Sequence, residues 1–187
     1  MESNNIMKYI KGGALLKKSC INDYEDIRLI PIGKDDIENI RLLRNANKEY
    51  FFYSEEITVQ EQIKWFEKYL NNENDYMFKV VKISNIYDIV GVVALYDFLP
   101  DIKQCEFGRI IIDHGKVSER GIGLKTTKCA CQIAFDQLDV NRIVLEVYAD
   151  NLRAFKTYLK AGFKEIRREY KSNDEREIIF MEILREW

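Results

Sequence analysis

Residues 109–125 of the chain read RIIIDHGKVSERGIGLK, and they contain the most informative pattern in the sequence. An apolar run over residues 110–112 comes first, and Gly121 and Gly123 then stand where an amphipathic segment opens. The first turn of a helix has unpaired N–H groups and the positive end of the helix dipole. Glycines let a negatively charged group approach those N–H groups closely. The order of strand, Gly-x-Gly and helix therefore predicts a phosphate-binding turn or, in the plainer interpretation, only a tight connection.

Two common phosphate motifs are absent from the sequence. No GxxxxGK[ST] occurs, which excludes a P-loop. Thr126 stands where a dinucleotide fingerprint requires its third glycine. Whether the glycine turn binds phosphate or is only a tight connection must therefore be judged from the sequence around it.

Composition limits the classes of protein and partner. The chain has 187 residues, of which 47% are hydrophobic, and this is enough for one substantial core. We expect an N-terminal arm or hairpin over residues 1–26 and one domain over residues 27–187. The net charge of −2 argues against nucleic acid as a partner, and no apolar stretch approaches 18 residues without a charge, which argues against a membrane partner.

The cysteines and the histidine do not suggest a metal site. Cys129 and Cys131 are two residues apart on a predicted helix, so they point to different sides, which is poor geometry for a shared metal or a disulfide. His114 is the only histidine and is interpreted as an exposed loop residue. We expect no metal, reduced and mostly buried thiols at Cys20, Cys105, Cys129 and Cys131, and a cytoplasmic protein.

Hydrophobic periodicity predicts an α/β protein of the α+β type. The predicted fold has a single mixed, mostly antiparallel sheet of about six to seven strands, flanked by about four helices. Predicted strands cover residues 28–32, 76–83, 89–99, 104–113, 142–148, 163–170 and 177–184. Predicted helices cover residues 35–46, 58–70, 121–138 and 151–160. Pro31 indicates an edge or terminal position, and the apolar run 89–99 indicates a central strand covered on both faces.

Helical spacing also predicts which side chains of two helices are buried. In the second helix, Thr58 and Glu61 form a capping pair, and the stripe toward the core is Val59, Ile63, Phe66 and Leu70. In the third helix, the expected buried face is Leu124, Cys131, Phe135 and Leu138.

In this element order, the chain resembles the GNAT superfamily of N-acetyltransferases over roughly residues 28–184. The strongest part lies within residues 109–163: the strand 110–112, the loop Arg120-Gly121-Ile122-Gly123, Leu145-Glu146-Val147 with Asn151, and Ala154-x-x-x-Tyr158 ending in Ala161-Gly162-Phe163. Leu43-Arg44-Asn45 and residues 57–66 are similar to two branches, one acting on α-amino groups of ribosomal proteins and one on nucleotide-linked amino sugars. Ser118 departs from the Gln or Arg usual in the family loop, and Glu119 adds negative charge there.

The resemblance implies acetyl-coenzyme A as the cosubstrate. Its pyrophosphate is expected on the N–H groups of Gly121 through Lys125, with the side chains of Arg120 and Lys125 offsetting Glu119. Its pantetheine arm is expected to lie along the strand backbone like an added strand. The predicted cofactor-binding residues are Ile110, Ile112, Arg120, Gly121, Ile122, Gly123, Leu124, Lys125 and Asn151.

Three residues are predicted to act in catalysis. Tyr158 follows Asn151 by seven residues, nearly two helical turns, so the two side chains are expected on one face. The resemblance implies that Asn151 binds the cofactor and that the Tyr158 hydroxyl protonates the leaving thiolate. Glu146 and Glu106 are the candidates for the base that deprotonates the amine, and for each the plainer interpretation is a solvated carboxylate.

These residues predict acetyl transfer to a primary amine by direct attack. The acceptor is a small-molecule or peptide amine, either a protein N-terminal α-amine or an amino sugar. The aromatic run Tyr50-Phe51-Phe52-Tyr53 either stacks on a sugar or base, lines a peptide groove, or fills core. The alternative is a non-catalytic acyl-coenzyme A sensor or interaction module. A homodimer whose N-terminal arm crosses to its partner is compatible with the enzyme hypothesis.

Overall fold

The computed structural model describes residues 20–170 and 176–185. Its centre is one mixed, mostly antiparallel sheet with the strand order β1-β2-β3-β4-β5-β6-β8-β7. The strands are β1 (Asn22–Tyr24), β2 (Ile27–Pro31), β3 (Asp75–Lys82), β4 (Asn85–Leu99), β5 (Gln104–Ile112), β6 (Arg142–Tyr148), β7 (Lys164–Tyr170) and β8 (Glu177–Leu184). The α-helices are α1 (Ile37–Asn45), α2 (Val59–Asn71), α3 (Ile122–Gln132) and α4 (Leu152–Ala161). The predicted fold class is confirmed.

The sheet has eight strands among the described residues, rather than the six to seven predicted. The additional strand is β1, which has only three residues and pairs with β2 through a turn at Glu25 and Asp26. Three polar residues carry no alternation of hydrophobic and polar side chains, so the sequence pattern did not reveal this strand. Most of the predicted arm, residues 1–19, lies outside the described residues, and the domain boundary after residue 26 stays a prediction.

The two faces of the sheet are covered by different helices. The face that carries α1 and α2 is called the upper face, and the face that carries α3 and α4 is called the lower face. Strand β4 is central, as predicted: Val92 and Ala94 join the upper core, and Val93 and Leu95 join the lower core. The antiparallel meander of β3, β4 and β5 and the terminal position of Pro31 are also confirmed.

Helix α2 has the predicted cap but a different buried stripe. The Thr58 hydroxyl accepts a hydrogen bond from the Glu61 N–H at 3.2 Å, and the Glu61 carboxylate accepts one from the Thr58 N–H at 2.8 Å. Such a cap stabilises a helix by about 1 kcal/mol. Phe66 is buried as predicted, but the other buried residues are Gln62 and Tyr69, whereas Val59, Ile63 and Leu70 are exposed. Gln62 and Tyr69 thus take the places predicted for Ile63 and Leu70, and the Tyr69 hydroxyl contacts the backbone of Met77 in β3.

Helix α3 is shorter and more deeply buried than the predicted helix over residues 121–138. A π-helical turn over Ile133–Gln137 follows it, closed by a hydrogen bond from the Leu138 N–H to the Ile133 carbonyl. Cys131 is buried and Phe135 and Leu138 pack against the lower core, but Leu124 is only half-buried and lies outside it. The helix contacts both the sheet and α4, so its buried face includes small residues, Thr126, Thr127, Cys129 and Ala130, that the apolar stripe did not include.

All four cysteines are free and buried, as predicted. Burial raises the pKa of the Cys20 and Cys129 thiols to about 11. Over residues 20–170 and 176–185, no helix has the length and apolarity that a bilayer span requires. The same part of the chain contains no group of three or more side chains arranged as metal ligands.

Candidate active site

The parallel strands β5 and β6 separate halfway along their length. Only residues 104–106 of β5 pair with residues 142–144 of β6, although both strands continue beyond that point. Residues 107–112 of β5 therefore keep β4 on one side and have no neighbouring strand in the described sheet on the other. The backbone of Ile110 and Ile112 lies on this segment. An open strand edge presents N–H and C=O groups that an extended ligand can pair with.

A β-bulge bends β5 where the strands separate. The register with β4 shifts between Ala94, which is opposite Gly108, and Val92, which is opposite Ile111. Within the bulge, Arg109 adopts a left-handed backbone conformation with φ of +51°. Bulges bend a strand and increase its twist, which accounts for the gap between β5 and β6. The sequence pattern did not reveal this bulge, because the apolar run after Arg109 has the pattern of a continuous strand.

The glycine turn lies at the end of this gap. Gly121 is the N-cap of α3 with φ of +97°, a conformation that favours glycine, and a β-carbon there would have open space around it. A β-carbon on Gly123 would lie 3.9 Å from Ile112 Cγ1 and 4.0 Å from Thr157 Cγ2. The turn is therefore next to the end of β5 and the middle of α4, which places the first N–H groups of α3 beside the open edge.

Lys125 does not have the predicted role at this turn. Its N–H already donates to the Gly121 carbonyl at 2.9 Å, so the predicted phosphate contact from this N–H is wrong. The N–H groups of residues 121–124 precede that first helical bond. The Lys125 ammonium lies 2.6 Å from Asp26 Oδ1 and 3.0 Å from Glu25 Oε2. The turn between β1 and β2 therefore neutralises Lys125.

Glu119 is paired with a residue that the sequence interpretation did not consider. Its carboxylate contacts the ammonium of Lys82 at the end of β3, and Lys82 also contacts Asp26 at 2.5 Å. The expectation that Arg120 and Lys125 offset Glu119 is thus corrected, because Lys82 does so. Arg120 is exposed at the start of α3.

Tyr158 lies under the beginning of the gap. It is buried in the lower core, with its ring centroid 5.7 Å from that of Phe107 and 6.0 Å from that of Phe163. Phe107 is the first residue of β5 beyond the paired segment. Burial raises the pKa of the Tyr158 hydroxyl, so this group stays protonated and able to donate across the physiological pH range.

Asn151 is used by the helix that it begins. Its side-chain oxygen accepts a hydrogen bond from the Ala154 N–H at 3.2 Å, which caps α4. With φ of −78° and ψ of 62°, Asn151 is outside the helix, so the argument that it shares a helical face with Tyr158 does not hold. Its contact with a cofactor stays a prediction, which now depends on the amide NH2 group.

Glu106 and Glu146 lie on the same face of the sheet. Their sequence neighbours Cys105, Phe107, Leu145 and Val147 point into the lower core, so alternation directs both carboxylates to the upper face. Glu106 is opposite Val144, and Glu146 is two residues further along β6, about 6.5 Å. The Tyr96 hydroxyl donates a hydrogen bond to Glu106 Oε1 at 2.7 Å.

The aromatic run after α1 is mostly on the surface. Phe51 packs against the upper core, whereas Tyr50, Phe52 and Tyr53 expose 57%, 51% and 56% of their surface. The ring of Phe52 meets that of Tyr148, two residues after Glu146, with the centroids 4.7 Å apart. Filling of the core is therefore excluded for three of the four aromatic residues, and the upper face beside Glu146 carries exposed rings.

His114 is exposed, as predicted, and faces Arg153 at the start of α4. One ring nitrogen lies 2.5 Å from the Arg153 guanidinium. Partial burial and the charge of Arg153 lower the pKa of His114, which favours the neutral ring, the form that can accept a hydrogen bond from the guanidinium.

The family of the chain follows from its sequence. Residues 26–164 match the family model described as the acetyltransferase (GNAT) domain. The chain belongs to the GNAT acetyltransferase family. This confirms the resemblance and the predicted enzyme class, an N-acetyltransferase. No curated protein matches the sequence significantly.

Solved structures with the same GNAT fold include two kinds of acetyltransferase. Spermidine N-acetyltransferase from Vibrio cholerae, in complex with CoA and spermine, has a TM-score of 0.76 and 23% identity, over 85% of this chain and 95% of that one. FdhC, a nucleotide-linked sugar GNAT in its apo form, has a TM-score of 0.72 and 23% identity, over 87% and 88% of the two chains. A dodecameric form of the Vibrio cholerae enzyme has a TM-score of 0.70 and 22% identity, over 85% and 94%.

Proposed function

We propose that this GNAT domain transfers an acetyl group from acetyl-coenzyme A to a primary amine by direct attack. The gap between β5 and β6 carries the proposal, because it joins three groups that the reaction needs. The glycine turn lies at its end, Tyr158 lies beneath its beginning, and the carboxylates of Glu106 and Glu146 are on the face above.

The donor binds along one edge of this gap. The pyrophosphate accepts hydrogen bonds from the N–H groups of residues 121–124, which are aligned with the positive end of the α3 dipole. Arg120 adds a nearby positive charge. The pantetheine amides pair with the open backbone of Ile110 and Ile112 and direct the thioester toward Tyr158. In support, a protein of the same fold binds CoA.

The reaction requires three proton movements. A primary amine is protonated at pH 7, and deprotonation costs about 1.4 kcal/mol for an α-amine and about 4.6 kcal/mol for an alkyl amine. An upper-face carboxylate accepts that proton, and the amine nitrogen attacks the thioester carbonyl carbon. The carbon–sulfur bond then breaks, and the thiolate takes a proton from the Tyr158 hydroxyl, which burial keeps protonated. The attacking nitrogen gives up its second proton as the amide forms, and that proton restores the Tyr158 hydroxyl.

The acceptor is a small-molecule or peptide amine that enters from the upper face. Carboxylates there suit an ammonium group, and the exposed rings of Phe52 and Tyr53 provide a surface for stacking. Proteins of the same fold include a spermidine N-acetyltransferase and a nucleotide-linked sugar GNAT, so a polyamine joins the α-amine and the amino sugar as a candidate class. A homodimer stays a prediction, and one of those proteins forms a dodecamer.

The test is coenzyme A release, followed by chromatography, with four acceptors. These are spermidine, a nucleotide-linked amino sugar, a peptide with a free α-amine, and the same peptide with an acetylated N-terminus and no lysine as the control. We expect release above the hydrolysis background with at least one of the first three and none with the control.

Calorimetry with acetyl-coenzyme A distinguishes the proposal from its alternative. Binding without turnover of any amine supports a non-catalytic acyl-coenzyme A sensor. The absence of any heat of binding contradicts both functions.

A further inference from the structure

A connected set of polar side chains reaches Glu106 from the far side of the meander. It starts at Asp75, the first residue of β3, whose side chain is 7% exposed. The Arg109 Nη1 atom lies 2.9 and 2.7 Å from the two Asp75 oxygens. A nearly buried carboxylate requires such a partner, so this ion pair fixes the direction of the Arg109 side chain.

Arg109 in turn holds Tyr96. The centre of its guanidinium lies 4.3 Å from the centroid of the Tyr96 ring, which is the geometry of a cation–π contact. The Tyr96 hydroxyl then donates to Glu106 Oε1 at 2.7 Å. Burial and the charge of Glu106 raise the pKa of Tyr96, so this donor keeps its proton.

Gly108 provides the space for this hydroxyl. A β-carbon on Gly108 would lie 2.5 Å from the Tyr96 hydroxyl oxygen. Real β-carbons do not approach an oxygen that closely, so the hydroxyl has its present place only because residue 108 has no side chain. Gly108 and Arg109 both belong to the bulge region that opens the gap.

We propose that Tyr96 is a positioning residue that orients the Glu106 carboxylate toward the amine. Arg109 holds the Tyr96 ring, and the absence of a side chain at Gly108 leaves space for the Tyr96 hydroxyl. This rests on the proposed function. A glutamate side chain loses rotamer entropy when it is fixed. When the carboxylate is already fixed in the free enzyme, this entropy is lost before the acceptor binds, and a reaction that depends on orientation is then faster. The proposal selects Glu106, rather than Glu146, as the carboxylate that receives the amine.

The first test is Tyr96→Phe, which removes the hydroxyl and keeps the ring under Arg109. A hydrogen bond to a charged group is strong enough that we expect kcat/KM for the acceptor to fall about tenfold. The KM for acetyl-coenzyme A should not change, because the cofactor edge does not use this hydroxyl. The probe is the best amine of the four-acceptor panel.

The matched control is Tyr69→Phe. Tyr69 is a buried tyrosine on the same face, and its hydroxyl contacts the backbone of Met77. Both variants lose one tyrosine hydroxyl from the upper core, so both should show a similar loss of thermal stability. Only Tyr96→Phe should lower kcat/KM. An equal loss of kcat/KM in both variants means that Tyr96 is merely structural and overturns the proposal.

A double-mutant cycle with Glu106→Gln tests whether Tyr96 acts through Glu106. We expect Glu106→Gln alone to lower kcat/KM about a hundredfold. Adding Tyr96→Phe to that variant should then cost less than twofold, because the oriented group no longer accepts a proton. A full tenfold further loss contradicts the proposal. Gly108→Ala, which displaces the hydroxyl without deleting it, should reproduce the effect of Tyr96→Phe.

The outcomes separate this inference from the proposed function. If the wild-type protein releases coenzyme A with an amine and Tyr96→Phe equals it, the positioning role is wrong and the acetyltransferase function stands. If the wild-type protein releases no coenzyme A with any amine of the panel, the function fails and the positioning role fails with it.

Discussion

The candidate site has one half that we propose for the cofactor and one half that we propose for the acceptor, and the two are built from different parts of the chain. The cofactor half uses backbone groups from one continuous stretch, the end of β5 and the turn before α3. The acceptor half uses side chains from three strands: Asp75, Tyr96, Glu106 and Arg109. Backbone donors tolerate changes of side chain, whereas an oriented carboxylate depends on every residue that holds it. The cofactor half should therefore be sensitive to glycine substitutions and the acceptor half to the removal of single polar atoms.

Tyr158→Phe should have the largest effect, because the proposed mechanism uses the Tyr158 hydroxyl as the general acid. Loss of a general acid lowers turnover by about a hundredfold or more. The affinity for acetyl-coenzyme A, measured by calorimetry, should be unchanged, since the proposed phosphate contacts are at the start of α3 and do not involve this hydroxyl. Tyr76→Phe is the control, because Tyr76 is another buried tyrosine of the lower core. Unchanged turnover in Tyr158→Phe would remove the hydroxyl from the mechanism.

Two glycine substitutions test whether the cofactor half works through its backbone. Gly121→Ala places a side chain at φ of +97°, which costs about 1–2 kcal/mol of the free energy of unfolding. Gly123→Ala lies inside α3, where alanine is favoured over glycine by up to about 1 kcal/mol. Both should weaken coenzyme A binding, because each alters the approach to the N–H groups.

The contrast between these variants is the informative result. Urea denaturation of the free protein should show a loss of stability for Gly121→Ala and no loss for Gly123→Ala, while calorimetry shows weaker coenzyme A binding for both. If Gly123→Ala binds coenzyme A as tightly as the wild-type protein, the phosphates do not contact the turn closely. The distinction between the two halves would then be wrong.

The smallest expected effect is that of Asp26→Asn, which tests whether the ion pairs beside the glycine turn influence cofactor binding. The bonds from Lys125 and Lys82 lower the pKa of Asp26 to about 2. This value is below that of an unfolded Asp, about 3.9, so the stabilisation is complete above pH 4 and is lost as the pH falls through 2. Because Asp26 is 45% exposed, the loss at pH 7 should be below about 1 kcal/mol and should shrink in high salt.

Asp23→Asn is the matched control for this variant. Asp23 pairs with Arg28 in the same hairpin at 2.5 Å but does not contact Lys82 or Lys125. Denaturation at pH 7 and pH 2.5 should show similar, small, pH-dependent losses for both variants. Only Asp26→Asn should change the affinity for coenzyme A. An equal affinity for coenzyme A in both variants would mean that the turn between β1 and β2 does not influence the glycine turn.

The secondary structure of the proposed cofactor half could be predicted from the sequence because its information is local. The strand, the two glycines and the helix lie within residues 109–125, and capping and periodicity describe such a segment directly. The exceptions were contacts with distant residues, such as Lys82 with Glu119, which are 37 residues apart. The sequence does not show which of many oppositely charged surface residues form ion pairs in the folded protein.

The acceptor half could not be predicted beyond its two glutamates. Alternation separates each glutamate from its apolar neighbours in the same strand, but the partners of Glu106 depend on the register between β4 and β5. That register shifts between Tyr96 and Leu99 and again at the bulge beside Arg109, and neither irregularity has a signature in the sequence. The same limit applies to α2, where a tyrosine and a glutamine are buried in place of the apolar residues beside them.

The burial of all four cysteine thiols also has a practical consequence for measuring the reaction. The raised pKa values of these thiols leave almost no thiolate at neutral pH. The thiolate is the form that reacts with colorimetric disulfide reagents. A colorimetric reagent present during turnover should thus report the coenzyme A that leaves the site, with little contribution from the protein. The folded protein alone should give almost no colour, and four equivalents should appear after denaturation.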